Sequence, residues 1–206
     1  MSLERLKDRD YVIVVDKSGS MSMNDCPGGK TRWDYAYEST GAIARKLQEF
    51  DPDGITVVPF SSAFKIHENV TAEKVDEVWR EHEPMGSTNL TAALKQIFAD
   101  YNTRKKAGET KANGEMLVIM TDGSPNDPSA VMKTIIEFGN QLDNADDEYG
   151  ISFIQVGKDP GAAAFLQKLD DDLVGLGAKH DIVDTKSMDE VETIGLLETL
   201  VAALDD

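Results

Sequence analysis

Tyr11-Val12-Ile13-Val14-Val15 is an unbroken apolar run that ends in an acid, Asp16. Four of its residues are β-branched and nothing polar alternates with them, the pattern of a strand buried on both faces. Such a strand belongs inside a parallel sheet with helices above and below, so the chain is expected to be α/β. Open α/β sheets place their ligands outside the carboxyl ends of the strands. Here that end is Asp16, followed by Ser18 and Ser20 at alternate positions. One carboxylate and two hydroxyls so close together are oxygen donors suited to a hard cation such as Mg²⁺.

The rest of the chain reads as alternating elements. A first helix is expected over about Trp33 to Phe50, with Ala36, Ile43, Leu47 and Phe50 on one face, ended by Asp51-Pro52-Asp53-Gly54. Ile55 to Phe60 reads as a second strand. Ser61-Ser62 is too short for a crossover, so Ala63 to Val70 should return as an antiparallel edge strand. A short helix from Thr71 to about His82 and the loop Glu83 to Thr88 follow. Asn89 to about Asn102 repeats apolar residues at helical spacing, and a basic loop, Thr103 to Gly114, leads to a strand from Met116 to Thr121 that ends at Asp122. Asp127-Pro128 and Asp159-Pro160 each read as a helix start, with a strand at Ile151 to Val156 between them. A short strand is expected near Asp181 to Val183. Ser187 and Glu190 form a capping box for a last helix burying Val191, Ile194, Leu197, Val201 and Leu204. With right-handed crossovers, this alternation delivers Asp16, Ser18, Ser20, Thr88 and Asp122 to one edge of the sheet.

Bulk properties narrow the partners. The 206 residues suit one domain, 1–206, and a net charge of −17 argues against nucleic acid or anionic lipid as a partner. The one cysteine, Cys26, precludes an internal disulfide, and the N-terminal segment is too charged for a signal peptide, so a reducing, cytoplasmic setting is expected. No apolar stretch approaches the ~18 residues of a membrane helix.

Asp16-Lys17-Ser18-Gly19-Ser20 resembles the first metal motif of the von Willebrand factor type A family, Asp-x-Ser-x-Ser. Gly86-Ser87-Thr88-Asn89-Leu90 is similar to its second element and Thr121-Asp122-Gly123 to its third. The resemblance covers nearly the whole chain. It implies a doubly wound, Rossmann-like sheet of about six strands in the order 3-2-1-4-5-6, with strand three antiparallel at the edge. It also implies a metal-ion-dependent adhesion site holding Mg²⁺, with Mn²⁺ or Ca²⁺ as substitutes. Ser18, Ser20 and Thr88 would approach the metal directly, Asp16 and Asp122 directly or through water. With so little of its charge neutralised, the ion would favour a carboxylate from a partner protein. The chain most resembles intracellular bacterial members, which suggests an ATPase or a stress-response component as partner. The loop Met21 to Arg32 is longer than its connection requires; with Lys17, Lys30, Arg32 and Lys158 it is expected to help choose that partner.

Other chemistries draw on the same residues. Asp16 resembles the nucleophile of haloacid-dehalogenase-like phosphotransferases, with Lys158 as phosphate partner. That family's general acid would fall at Ser18, whose hydroxyl cannot supply a proton at a useful pKa. No enzymatic activity is therefore expected. A type A scaffold without a metal is a further alternative. Gly28-Gly29-Lys30-Thr31 lacks the earlier glycine of a phosphate-binding loop, since that position is Asn24. The stretch opening at Asp122 lacks the glycine and the final acid of a calcium loop. Asp170 to Asp172 and Asp143 to Glu148 read as solvated helix ends. His67, His82 and His180 show no ligand spacing.

Overall fold

The computed structural model describes residues 3–204, without the side chains of Leu3, Asp146 and Asp147, so part of the acidic run at 143–148 lies outside the described residues. Six strands form one sheet: β1 (Asp10–Asp16), β2 (Ile55–Phe60), β3 (His67–Val70), β4 (Glu115–Thr121), β5 (Tyr149–Gln155) and β6 (Val183–Ser187). Their order is β3-β2-β1-β4-β5-β6, as the family resemblance implied. β1 pairs parallel with β2 and β4, and only β3 runs antiparallel.

β1 explains why there are two half-cores. Tyr11, Ile13 and Val15 point into one layer, with Ile43 and Leu47 of helix α1 (Arg32–Leu47), Val78 and Trp79 of α2 (Val75–Arg80), and Leu200 and Val201 of α8 (Leu196–Ala202). Val12 and Val14 point into the other, with Leu94 and Ile97 of α3 (Leu90–Ala107), Ile135 and Phe138 of α4 (Pro128–Gly139), and Leu166 and Leu169 of α6 (Pro160–Asp171). Every residue from Tyr11 to Asp16 is buried. At about 1.5–3 kcal/mol per large apolar side chain removed from water, this strand anchors both layers. Local chemistry sets the helix starts: Thr31, Asp127 and Asp159 each accept a hydrogen bond from a first-turn N–H, and Ser187 and Glu190 complete the capping box.

Several boundaries differ from expectation. Helix α3 continues through the basic segment to Ala107, because Arg104, Lys105 and Lys106 are good helix formers that also favour a helix C-terminus. Left-handed Gly108 then ends it. The edge strand begins only at His67, after an isolated bridge between Phe60 and Phe64. β6 lies further along than expected, at Val183–Ser187, since an edge strand hydrogen-bonded only to β5 does not need an apolar run. A short helix, α5 (Ala145–Glu148), precedes β5. The last helix is two: α7 (Met188–Ile194) stops at Gly195, whose φ of +101° breaks the register before α8. Ile194 is consequently exposed, contrary to expectation, and Leu200 is buried in its place. Among the described residues no helix is long and apolar enough to cross a membrane.

At the amino end of the strands the charges are paired. Arg104 bonds Asp10 and Glu115, and Lys111 bonds Asp51, Asp53 and Asp10. Burial first, then the neighbouring Asp53, pushes Asp51 up to about 7 against the pull of Lys111. Because that value lies above the unfolded one, the contribution of Asp51 to stability is fully present below about pH 4 and is lost as pH rises through about 7. Asp51→Asn mimics the protonated acid. Its melting temperature should therefore gain on wild type by about 5 °C between pH 5 and pH 8, equivalent to about 2 kcal/mol. A difference that stays constant or shrinks over that range would show that Asp51 ionises freely.

Candidate metal centre

Asp16, the last residue of β1, is fully buried at the carboxyl edge of the sheet. One carboxylate oxygen accepts the Ser18 backbone N–H at 2.7 Å, turning the chain sharply after the strand. The other accepts the Thr121 hydroxyl of neighbouring β4 at 2.8 Å. The turn presents the Ser18 hydroxyl 3.1 Å from that of Ser20, and Ser20 donates to Asp122 at 2.9 Å. Asp16, Ser18, Ser20 and Asp122 thus form one hydrogen-bonded series across two strands.

Thr88 reaches the same edge by backbone stitching. Met85 N–H donates to the Lys17 carbonyl at 2.7 Å and Gly19 N–H to the Gly86 carbonyl at 3.2 Å, drawing the loop before α3 across the turn after β1. Thr88 N–H donates to the Asn126 side chain at 3.1 Å, and Asn126 N–H returns to the Thr88 carbonyl at 2.9 Å. The loops after β1 and β4 therefore both hold the Thr88 loop. The Thr88 hydroxyl itself makes no hydrogen bond to the other four side chains.

The electrostatics contain a residue whose role the sequence did not reveal. Arg32 opens α1, is only 5% exposed, and donates to Asp122 at 2.8 Å. The same guanidinium grips Asp25 through two further bonds, of 2.8 and 2.6 Å. Arg32, expected among the cations displayed to a partner, is held inside, and both acids keep it firmly protonated. It lies against Gly157 just beyond β5, where an added Cβ would come within 2.5 Å of its Nε. Lys30 pairs with Glu38 and Lys158 with Asp189, all four exposed, while Lys17 is half-buried. Burial, reinforced by the charge of Asp122, pushes Asp16 up to about 6 even though its hydrogen bonds pull the other way.

These residues suit a hard divalent cation. The converging donors are all oxygens, carboxylates from Asp16 and Asp122 and hydroxyls from Ser18 and Ser20, with no sulfur or imidazole among them. Arg32 is divided between Asp122 and the more exposed Asp25, and the buried Asp16 carboxylate is met by the Ser18 amide and the Thr121 hydroxyl and not by a cation, so negative charge is left uncompensated. Beside them an open cleft of about 460 Å³ is lined by Ser20, Asp25, Arg32, Asp122, Lys158 and the half-exposed Met23. A separate cluster departs from the sequence reading: His67 and His82 are not scattered but meet, Nε2 to Nε2, at 3.0 Å.

A six-stranded sheet of this order, with its acid and hydroxyl loops gathered at one edge, defines a class of α/β domain. Residues 11–124 match the von Willebrand factor type A domain, and the chain belongs to that family. No curated protein matches the chain. Among solved structures it is similar to a mutant of the PilB minor pilin from Streptococcus sanguinis, at 16% identity and a TM-score of 0.66, over 97% of this chain and 61% of that one. It is also similar to the pilus adhesin SpaC from Lactobacillus rhamnosus GG, at 17% identity and a TM-score of 0.63, over 96% of this chain and 30% of that one. A third is proximal thread matrix protein 1 from the mussel byssus, at 18% identity and a TM-score of 0.54, over 95% and 46% of the two chains. At these identities the likeness is one of fold, and the chain spans less than two thirds of each of these proteins.

The Arg32–Asp122 pair is testable in metal-free protein. Removing one partner of a buried ion pair leaves a bare charge and costs about 3–5 kcal/mol. Arg32→Met in EDTA should lose about 3 kcal/mol of stability by urea unfolding, whereas Asp25→Asn, whose carboxylate is 40% exposed, should lose under about 1 kcal/mol. Equal losses in the two variants would mean that Arg32 serves Asp25 and not Asp122.

Proposed function

We propose that this domain binds a partner protein through a divalent cation, Mg²⁺ in the first instance, held by Asp16, Ser18, Ser20, Thr88 and Asp122. What carries the proposal is the hydrogen-bonded series from Asp16 through Ser18 and Ser20 to Asp122, with Thr88 stitched to the same edge. The metal supplies a positive centre that attracts an anionic oxygen, and an Asp or Glu of the partner provides one. The residues of this chain do the positioning. Asp16 fixes the turn and Thr121 fixes Asp16. The Gly19–Gly86 contact sets the height of the Thr88 loop. Mn²⁺ and Ca²⁺ are compatible with the same oxygens.

Binding fits this site better than catalysis. Asp16 is fully buried, so its carboxylate is not presented to a phosphate in solvent, while each oxygen accepts one hydrogen bond and keeps a lone pair for a small cation. The cleft beside Asp122 gives a partner somewhere to sit, with Met23 as an exposed apolar contact on the loop after β1 and Lys158 on its far wall. A reducing, cytoplasmic setting belongs to the same proposal, on the strength of a lone buried Cys26. A scaffold role without metal is favoured by one observation, the Arg32 guanidinium that already balances Asp122.

Metal addition separates the two. With Mg²⁺ at about 100 times its dissociation constant, wild type should gain roughly 2.7 kcal/mol, or about 5–10 °C in melting temperature. Asp16→Ala should lose the whole gain and Thr88→Ala most of it. Pull-downs from lysate in Mg²⁺ should recover a partner that EDTA and both substitutions release. An identical Mg²⁺ response in wild type and both variants sinks the metal site and leaves the scaffold.

A further inference from the structure

The second cluster of ligand-type side chains lies at the edge strand and the end of α2 and shares no residue with the oxygen-lined centre. His67 opens the edge strand β3, and Glu81 and His82 follow the end of α2. Fifteen residues separate the histidines in sequence, yet their Nε2 atoms are 3.0 Å apart and the rings meet edge to face at 87°. One ligand atom from each of His67, Glu81 and His82 lies within 4.8 Å of the others.

We infer that His67, Glu81 and His82 form a second metal site, selective for a borderline transition ion of the Zn²⁺ class and distinct from the Mg²⁺ centre. The geometry is close to what such an ion needs. Zn–N bonds of about 2.0–2.1 Å at a tetrahedral angle put two ligand nitrogens roughly 3.3–3.4 Å apart. Opening the observed pair by a few tenths of an ångström is a small rotation of half-buried side chains. Two neutral imidazoles facing Nε2 to Nε2 can satisfy each other with only one proton; a cation between them satisfies both lone pairs. Burial and Lys65 hold His67 below the usual histidine range, and burial, His67 and Lys17 do the same for His82, in both cases against the pull of Glu81.

The third ligand is within reach. Glu81 is paired with Lys65, and both side chains are about half exposed. An exposed pair of this kind is worth no more than about 1 kcal/mol, so an incoming dication can draw Glu81 away from it. Lys65 then opposes the ion and weakens the site. Two nitrogens and one carboxylate leave a fourth position for water or for a side chain of another protein, the arrangement of an open zinc site. The nitrogen donors discriminate against Mg²⁺, as the all-oxygen set around Asp16 discriminates against softer ions.

Occupancy has a structural consequence. The ion would staple β3 to the end of α2, three residues before Met85, whose N–H bonds the Lys17 carbonyl at 2.7 Å. It would thereby brace the loop that carries Thr88.

The test uses the whole chain, stripped with EDTA and then held in excess Mg²⁺ so that the oxygen site is occupied. Calorimetric titration with Zn²⁺ should give one saturable site, and Co²⁺ should develop the visible bands of a near-tetrahedral ion. His67→Gln and His82→Gln, checked for fold by circular dichroism, should each weaken Zn²⁺ at least 100-fold and abolish the Co²⁺ bands. Glu81→Gln should weaken it about tenfold and Lys65→Met should strengthen it. Thr88→Ala should leave Zn²⁺ binding unchanged even where it removes the Mg²⁺ response. Zn²⁺ affinity unaltered by both histidine substitutions, or lost in Thr88→Ala, would overturn the inference.

Discussion

A fully buried carboxylate at the end of a strand that is buried from Tyr11 onward is the constraint on which the rest depends. Asp16 cannot be hydrated, so it must be satisfied by protein. The Ser18 amide and the Thr121 hydroxyl do this, and in doing so they fix the turn after β1 and lock its end to β4. The same bonds that make a buried acid tolerable therefore set the Ser18 hydroxyl beside that of Ser20, which donates to Asp122. Structural necessity and ligand geometry are here one set of contacts.

The second organising element is the internal cation. Arg32 is bound to two acids, one deep and one near solvent, and its charge falls on the carboxylate that Ser20 also contacts. A bound dication and this guanidinium would share Asp122. Under the proposed function, metal affinity would be set by a balance between an arginine already in place and an ion from solution, and partner recognition would inherit that balance. The loop from Met21 to Arg32 is in this sense part of the electrostatics of the centre, since it both supplies Arg32 and positions Asp25 against it.

Much of this architecture was legible because it is written locally. β1 and β2 have the bounds their apolar runs dictate, and the Asp-Pro and Ser-x-x-Glu signals mark the helix starts they should. The convergence of Asp16, Ser18, Ser20 and Asp122 followed from strand alternation. What escaped was tertiary. Arg32 looks like any basic residue at a helix start, and nothing nearby in sequence marks its bond to a residue 90 positions away. His67 and His82 have no ligand spacing because a hairpin return and a short helix, not a shared face, bring them together. Gly195 sits in a sequence that keeps its helical periodicity, so the break shows only in the backbone angle. The basic segment ending α3 looks like a loop in sequence because it is charged and a glycine follows it.

Gly157 has a reach beyond its own strand. The Arg32 guanidinium crosses the space where a side chain at 157 would begin, and the backbone there has a φ of +77° that other residues adopt at a penalty. A methyl group at this α-carbon would displace the guanidinium and leave Asp122, just beyond β4, without its cation. The charge balance at Asp122 is therefore sensitive to a position that bears no functional group at all, and under the proposed metal binding the size of residue 157 would bear on the ion through Arg32.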